Sequence, residues 1–223
     1  MAAGRGQRMM PLTSVVPKPM APIHGSTLIA RKLKELINKV PKIHITIGYK
    51  GAELAKHVIE NGASSAINTE GKSNSWWIHN SLLSHLDEPI YVLTCDNVAI
   101  LDFESMERDY REQGSPACLL IGVRPVPGLE GDYIYHDNNV VSKLSRNEPT
   151  DLYCSGIQII NPAKVNSLTQ PGKDFYDIWD QLMAQQQLKV SSIHPEKWHA
   201  IDTLEQLDQF QRLLTSSLES HPS

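Results

Sequence analysis

The strongest constraint on what this chain can fold into lies near its start. Ala2-Ala3-Gly4-Arg5-Gly6-Gln7-Arg8 is followed by Pro11-Leu12-Thr13 and then by Pro17-Lys18-Pro19-Met20-Ala21-Pro22. A loop of small residues and glycine lets successive backbone N–H groups close around phosphate oxygens, and the same backbone can lie against a flat base. Arg8 and Lys18 then bring positive charge to a polyphosphate from two directions. Prolines on both sides of Lys18 fix its local backbone, so the ammonium is presented with little conformational freedom left to lose. Dinucleotide-binding and Walker A loops place their glycines and lysine differently, and neither pattern is met here.

Hydrophobic periodicity organises the rest. An amphipathic helix is predicted over 26–39 with Ser26 as its N-cap, then a strand over 43–49, a helix over 52–60 and a strand over 64–69. Helix over 76–85, a buried strand over 89–94 and helix over 103–113 continue the alternation, at the spacing of doubly wound sheets. Past residue 115 the pattern changes. Strand-like runs at 117–123, 133–136, 140–144 and 152–160 are separated by turn chemistry such as Asp137-Asn138-Asn139, which predicts a mixed sheet. Helix over 175–187, strand over 189–193 and helix over 203–214 close the chain.

At 223 residues this is enough for one sizeable α/β domain, expected over 1–218 with a flexible tail at 219–223. The formal net charge of −4 carries no basic excess, which argues against nucleic acid or an anionic membrane as a partner. No apolar run reaches the length of a membrane span, and no secretory pattern opens the sequence. Cys95, Cys118 and Cys154 are odd in number, lack paired metal-ligand spacing and sit in apolar runs. Buried free thiols in a reducing, cytoplasmic compartment are expected.

The N-terminal run resembles the hallmark of the nucleoside-diphosphate-sugar pyrophosphorylase family, also called nucleotidyltransferases. That hallmark reads roughly A-G/A-G-x-G-x-R-L/M-x-P-L-T, then P-K-P-L/M-x-P-V/I-x-G, and here it ends with Pro22-Ile23-His24-Gly25. The looser resemblance extends to about residue 212. It implies a single three-layer, Rossmann-like (glycosyltransferase-A-like) α/β domain with a mixed, mostly parallel central sheet. It also implies a nucleotide site at Ala2, Ala3, Gly4, Gly6 and Gln7, with Arg8 and Lys18 as the catalytic cations. In this family a buried strand precedes the glycine loop, whereas only Met1-Ala2-Ala3 stand before it here. Met1 is therefore expected to be an internal methionine of that strand.

Two carboxylates stand out. Val92-Leu93-Thr94-Cys95-Asp96-Asn97 places Asp96 just past a buried strand, where ligands bind in open α/β sheets. Magnesium favours one or two carboxylates plus substrate phosphates, and Asp96 matches the family's metal-binding Asp. The plainer reading is an Asp that caps the following turn. Asp202, in Trp198-His199-Ala200-Ile201-Asp202-Thr203-Leu204-Glu205, resembles the family's late W-x-x-I-D-T segment. Many sugar members carry an acidic group two residues after the tryptophan, where Ala200 stands here. Asp202 is the second expected ligand, against the plainer reading that Asp202 or Thr203 caps the last helix. His199 reads as packing or surface.

The base-reading segment departs most. Many sugar members carry a Leu-Gly-Thr-Gly/Ala run, while this chain has Ile67-Asn68-Thr69-Glu70-Gly71-Lys72-Ser73-Asn74-Ser75-Trp76-Trp77. It looks closer to the Asn-rich segment of the phosphocholine cytidylyltransferase branch. Asn68, Asn74 and Ser75 could bond a base edge or ribose, or could form a turn and helix cap instead. Trp76 and Trp77 read as packing anchors. Gly131, Arg146 and Gly156 fall where the family contacts its acceptor, with Lys143 as a neighbouring alternative to Arg146. Helix charges such as Arg31, Lys32, Lys34 and Glu35 read as solvated surface.

The resemblance implies transfer of a nucleoside monophosphate from a nucleoside triphosphate to a sugar-1-phosphate, with Mg2+ as cofactor and pyrophosphate released. The alternatives are a cytidylyltransferase for phosphocholine or another small alcohol phosphate or phosphonate, and a non-catalytic nucleotide-binding regulator. Self-association into a homo-oligomer stays open.

Overall fold

Ile45 and Ile47 alternating with His44 and Thr46, and the apolar pair Ala66-Ile67 between Ser65 and Asn68, make His44–Ile47 and Ser65–Asn68 two parallel strands, with Ile45 paired to Ala66 and Ile47 to Asn68. The structure, a computed structural model, describes residues 1–126, 129 and 131–219. Beyond Glu219, the tail expected at 219–223 lies outside those residues. Contacts divide the chain into two compact units: Met1–Gly71, Cys95–Val98 and the chain from His199 on, and Lys72–Thr94 with Ala99–Trp198.

In the first unit, residues 1–3 run beside His44–Ile47. Ala2 N–H donates to the Thr46 carbonyl at 3.0 Å, and Tyr49 N–H donates to the Ala3 carbonyl at 3.2 Å. Helix Leu28–Leu36 turns Ile29 and Leu33 inward, and helix Gly51–Glu60 turns Leu54 and Val58 inward. These four pack with Ala2, Ile43, Ile45, Ile47 and Ala63 into one core. The last helix, Leu204–Glu219, closes a second core, where Leu207 and Phe210 meet Met9, Ala21, Ile23, Leu28 and Ile201.

The second unit holds a six-stranded sheet. Its order is Ile90–Leu93, Tyr153–Ile160, Cys118–Val123, Leu188–Val190, Val140–Ser145 and Tyr133–Asp137. The sheet is mixed, as expected, but antiparallel pairing predominates in it rather than parallel. Leu188–Val190 against Cys118–Val123 is parallel, while the other registered pairs run antiparallel. One cause is local and one is not: Asn138 and Asn139 take positive φ and turn Tyr133–Asp137 back as a hairpin, and the long strand Tyr153–Ile160 enters antiparallel between two neighbours distant in sequence.

Most predicted elements are present within a few residues of their expected ends. The first long helix begins after Thr27, whose hydroxyl accepts the Ala30 N–H at 3.2 Å; Ser26 instead pairs with Ile23 in a two-residue strand. The helix expected over 76–85 breaks at Ser81, which is extended and whose hydroxyl donates to the Trp77 carbonyl. Helix Pro162–Leu168 and strands Asn97–Ile100 and Lys197–Ala200 were not expected. No helix among the described residues is long and apolar enough to cross a membrane.

Candidate active site

The glycine loop takes its shape from contacts on both flanks. A Cβ on Gly48 would lie 2.7 Å from the Ala3 carbonyl oxygen, so only glycine there lets the segment before the loop come so close. Gly6 has φ of 62°, and a Cβ on it would lie 2.7 Å from Lys18 Cβ. Its carbonyl accepts the Met9 N–H at 2.9 Å and the Thr13 hydroxyl at 3.0 Å, which closes the turn Gln7–Met9. Gly4 has open space around it. Among the described residues, the N–H groups of Gly4, Arg5, Gly6 and Gln7 donate to no protein acceptor, the condition a phosphate-binding nest requires.

Next to the loop, four charged side chains converge. Lys18 Nζ lies 2.8 Å from Asp96 Oδ2 and 2.7 Å from Asp202 Oδ1. Arg8 reaches the same Asp202 oxygen at 3.0 Å. The Lys18 side chain is 9% exposed, Asp202 19%, Asp96 30% and Arg8 62%, so the cluster grades from a buried ammonium to an open guanidinium. Burial by itself disfavours the charge on Lys18. The attraction of Asp96 and the bonds to Asp202 and Asp96 outweigh it, and the Lys18 pKa ends above its ordinary value.

Local structure explains why both carboxylates face the lysine. The Asp96 carbonyl accepts the Ile201 N–H at 2.8 Å, which ties the two carboxylate-bearing segments together. The last helix is capped without Asp202. Thr203 Oγ1 accepts the Gln206 N–H at 3.2 Å, while Gln206 Oε1 accepts the N–H groups of Asp202 and Thr203 at 2.6 and 3.1 Å. This reciprocal capping box leaves the Asp202 carboxylate to the cations. Asp96 Oδ2, too, accepts from Lys18.

The remaining expected residues fall in three settings. Asn68 Oδ1 accepts the Glu70 N–H at 2.9 Å and so closes a turn. In the second unit, Asn74 Oδ1 accepts the Phe175 N–H at 3.1 Å and supports that helix start. Arg146 Nε donates to Asp132 Oδ1 at 3.1 Å and to the Tyr176 hydroxyl at 3.3 Å, and Tyr176 also donates to Asp132. Those bonds to Tyr176 and Asp132 push the guanidinium pKa further up and fix its near edge, while the side chain stays 70% exposed. Gly131 packs under the Tyr153 ring, which leaves no room for a Cβ. Gly156 sits at a positive φ in the bulged part of its strand. His199 packs on the Phe210 ring, Trp77 is buried, and all three cysteines are free. Burial, with Asp96 adding to it, pushes the Cys95 thiol up to about 11.

Three residues that sequence reasoning passed over hold this site. Lys32, read as surface, donates to the Asn97 carbonyl next to Asp96. Thr13 is 1% exposed and bonds Gly6, and Tyr49 bonds Thr13. The one available signal was the fixed Pro-Leu-Thr spacing after the glycine loop.

Comparison with known proteins covers the same ground. The family model described as nucleotidyl transferase matches residues 1–133. The catalytic subunit beta of mannose-1-phosphate guanylyltransferase from Drosophila pseudoobscura pseudoobscura is 20% identical over 202 residues, covering 84% of this chain and 54% of that protein. The chain thus spans about half the length of this relative. Among solved structures, the inositol-1-phosphate CTP transferase of T. maritima superposes with a TM-score of 0.76 at 16% identity, over 96% of this chain and 92% of that one. CTP:phosphocholine cytidylyltransferase from Streptococcus pneumoniae does so with a TM-score of 0.71 at 17% identity, over 96% of each chain. At such identities these two establish the fold.

Proposed function

Because the chain belongs to the nucleotidyl transferase family, we propose that it joins a nucleoside triphosphate to a phosphorylated small molecule, a sugar-1-phosphate, and releases pyrophosphate. The observation that carries this reading is the convergence of Arg8, Lys18, Asp96 and Asp202 beside a loop of unpartnered amides. A pure nucleotide binder has no need of both paired carboxylates and two cations.

The chemistry asks little of a general base. An acceptor phosphate oxygen already carries negative charge near neutral pH and attacks the α-phosphorus in line with departing pyrophosphate. What the protein supplies is alignment and neutralisation of charge. The loop amides hold phosphate oxygens, the exposed Arg8 neutralises the leaving pyrophosphate, and the confined Lys18 stabilises charge that builds during transfer.

Asp96 and Asp202 fit a divalent cation, because their oxygens already converge on one positive nitrogen. No group of three or more His, Cys, Asp or Glu that could hold a metal occurs among the described residues, so water and substrate phosphates would complete the shell, as magnesium prefers. When bound, such an ion supplies Lewis-acid polarisation of the α-phosphate. Lys18 must then yield at least part of its hold on the pair.

A second reading, a cytidylyltransferase acting on phosphocholine or another small alcohol phosphate or phosphonate, is favoured by the Asn-rich segment 67–77 and the Ile201-Asp202-Thr203 ending. The test of both is a grid of nucleoside triphosphates against sugar-1-phosphates and alcohol phosphates, scored by pyrophosphate release. Release with a sugar-1-phosphate supports the first reading, and release with an alcohol phosphate alone supports the second. Tight nucleotide binding with no release from any pair would leave a non-catalytic regulator.

A further inference from the structure

We propose that Tyr49 is a positioning residue for the glycine loop and, through it, for Lys18; this rests on the nucleotidyl-transfer reading above. Tyr49 lies between strand His44–Ile47 and helix Gly51–Glu60, away from the carboxylates in sequence. Its hydroxyl donates to the Thr13 carbonyl at 3.0 Å. Thr13 in turn donates its buried hydroxyl to the Gly6 carbonyl at 3.0 Å. Gly6 lies against the stem of Lys18, with no room for a Cβ between them. The line of contact therefore runs from Tyr49 through Thr13 and Gly6 to the ammonium that bridges Asp96 and Asp202.

Tyr49 and its neighbours grip the loop at both ends. The Tyr49 N–H bonds Ala3, on the entry side. Its ring underlies the Arg5 guanidinium, 5.7 Å from the ring centroid. On the exit side, Lys50 Nζ donates to the Ser14 carbonyl at 2.9 Å and also to the Val15 carbonyl. A phosphate loop of small residues has few side chains with which to hold itself. Tyr49 supplies that hold from the neighbouring strand end, so that the loop amides and Lys18 are aligned before substrate arrives.

Tyr49→Phe removes the hydroxyl and keeps the ring under Arg5, so it tests the Thr13 link alone. Turnover at saturating substrates should fall about tenfold, as expected when one stabiliser of developing charge is misplaced rather than lost. KM for the triphosphate should change less than about threefold, since the Tyr49 N–H bond to Ala3 and the ring under Arg5 still hold the entry side of the loop and Arg8 is untouched. Amide hydrogen exchange should quicken at Met9 and Val16 while helix Gly51–Glu60 keeps its protection. Thr13→Val should reproduce these effects and Thr13→Ser, which keeps the hydroxyl, should restore wild-type turnover. Unchanged turnover and unchanged loop exchange in Tyr49→Phe would overturn the proposal, as would a rise in KM alone. If wild type transfers nucleotide with no acceptor, the functional reading fails, and the exchange measurement by itself decides whether Tyr49 holds the loop.

Discussion

Lys18 is the residue whose surroundings say most about its work. A buried ammonium shared by two carboxylates is held in place by charge on both sides, and its pKa lies above the ordinary 10.5. A lysine with a raised folded pKa contributes stability that is complete below the unfolded value and is lost as pH rises through the folded one. Lys18 should therefore cause no alkaline loss of stability below about pH 10.5; a fall in the urea midpoint near pH 8 that disappears in Lys18→Gln would contradict that. The charge should matter more in the transition state, where negative charge builds on the transferring and leaving phosphates, than in the ground state. Lys18→Ala should lower turnover by roughly one to three orders of magnitude, with a much smaller loss of triphosphate affinity. Lys18→Gln tests charge at nearly constant length and should resemble the alanine variant. Steady-state kinetics beside direct nucleotide binding separate the two effects. Variants that bind weakly but turn over normally at saturation would make Lys18 a binding residue only.

At the scale of elements, the last helix decides what Asp202 can do. Thr203 and Gln206 cap it reciprocally, so the helix start needs nothing from the Asp202 carboxylate. Gln206→Ala should cost about 0.5–2 kcal/mol of stability, the range for a lost cap, and should lower turnover because Asp202 loses the acceptor on its own N–H. Gln206→Glu keeps the acceptor oxygens and should stay close to wild type. Urea unfolding of the two variants gives the comparison, and equal midpoints would remove the capping box as the support of Asp202. The spacing Thr203-x-x-Gln206 was in the sequence, and with it the answer to whether Asp202 caps the helix. Legibility followed the range of the interaction. Periodicity and local turn chemistry located the long helices, the hairpin at Asp137-Asn138-Asn139 and the glycine loop, because each is decided within a few residues. The break at Ser81 and the shift of the first cap from Ser26 to Thr27 depend on a single side-chain bond choosing between neighbours. The antiparallel share of the sheet and the Tyr49–Thr13 link depend on partners far apart in the chain, and no local pattern encodes them. Arg8, Lys18, Asp96 and Asp202, whose side chains converge, were singled out because a family resemblance stood in for that missing long-range information.

For the molecule as a whole, the expected residues separate by unit. Arg8, Lys18, Asp96 and Asp202 all belong to the unit that carries the glycine loop, while Gly131, Arg146 and Gly156 belong to the unit built on the six-stranded sheet. If the first set handles the triphosphate and the second the acceptor, substitutions in the two should affect different kinetic constants. Arg146 gives the sharpest test. Asp132 and Tyr176 fix its Nε edge, so the remaining guanidinium nitrogens are presented in a set direction at low entropic cost, the arrangement that suits a phosphate or phosphonate. Arg146→Met keeps much of the stem and removes the charge. It should raise the acceptor KM by about tenfold, the order of one charge-assisted hydrogen bond, and leave triphosphate affinity unchanged. Arg146→Lys should recover only part of the loss, because an ammonium cannot bond Asp132 and Tyr176 with one edge while offering a planar fork on the other. Tyr176→Phe should show a weaker version of the same pattern, as the guanidinium loses one of its two anchors. A rise in triphosphate KM in Arg146→Met, with the acceptor KM unmoved, would detach Arg146 from the acceptor and assign it to the nucleotide.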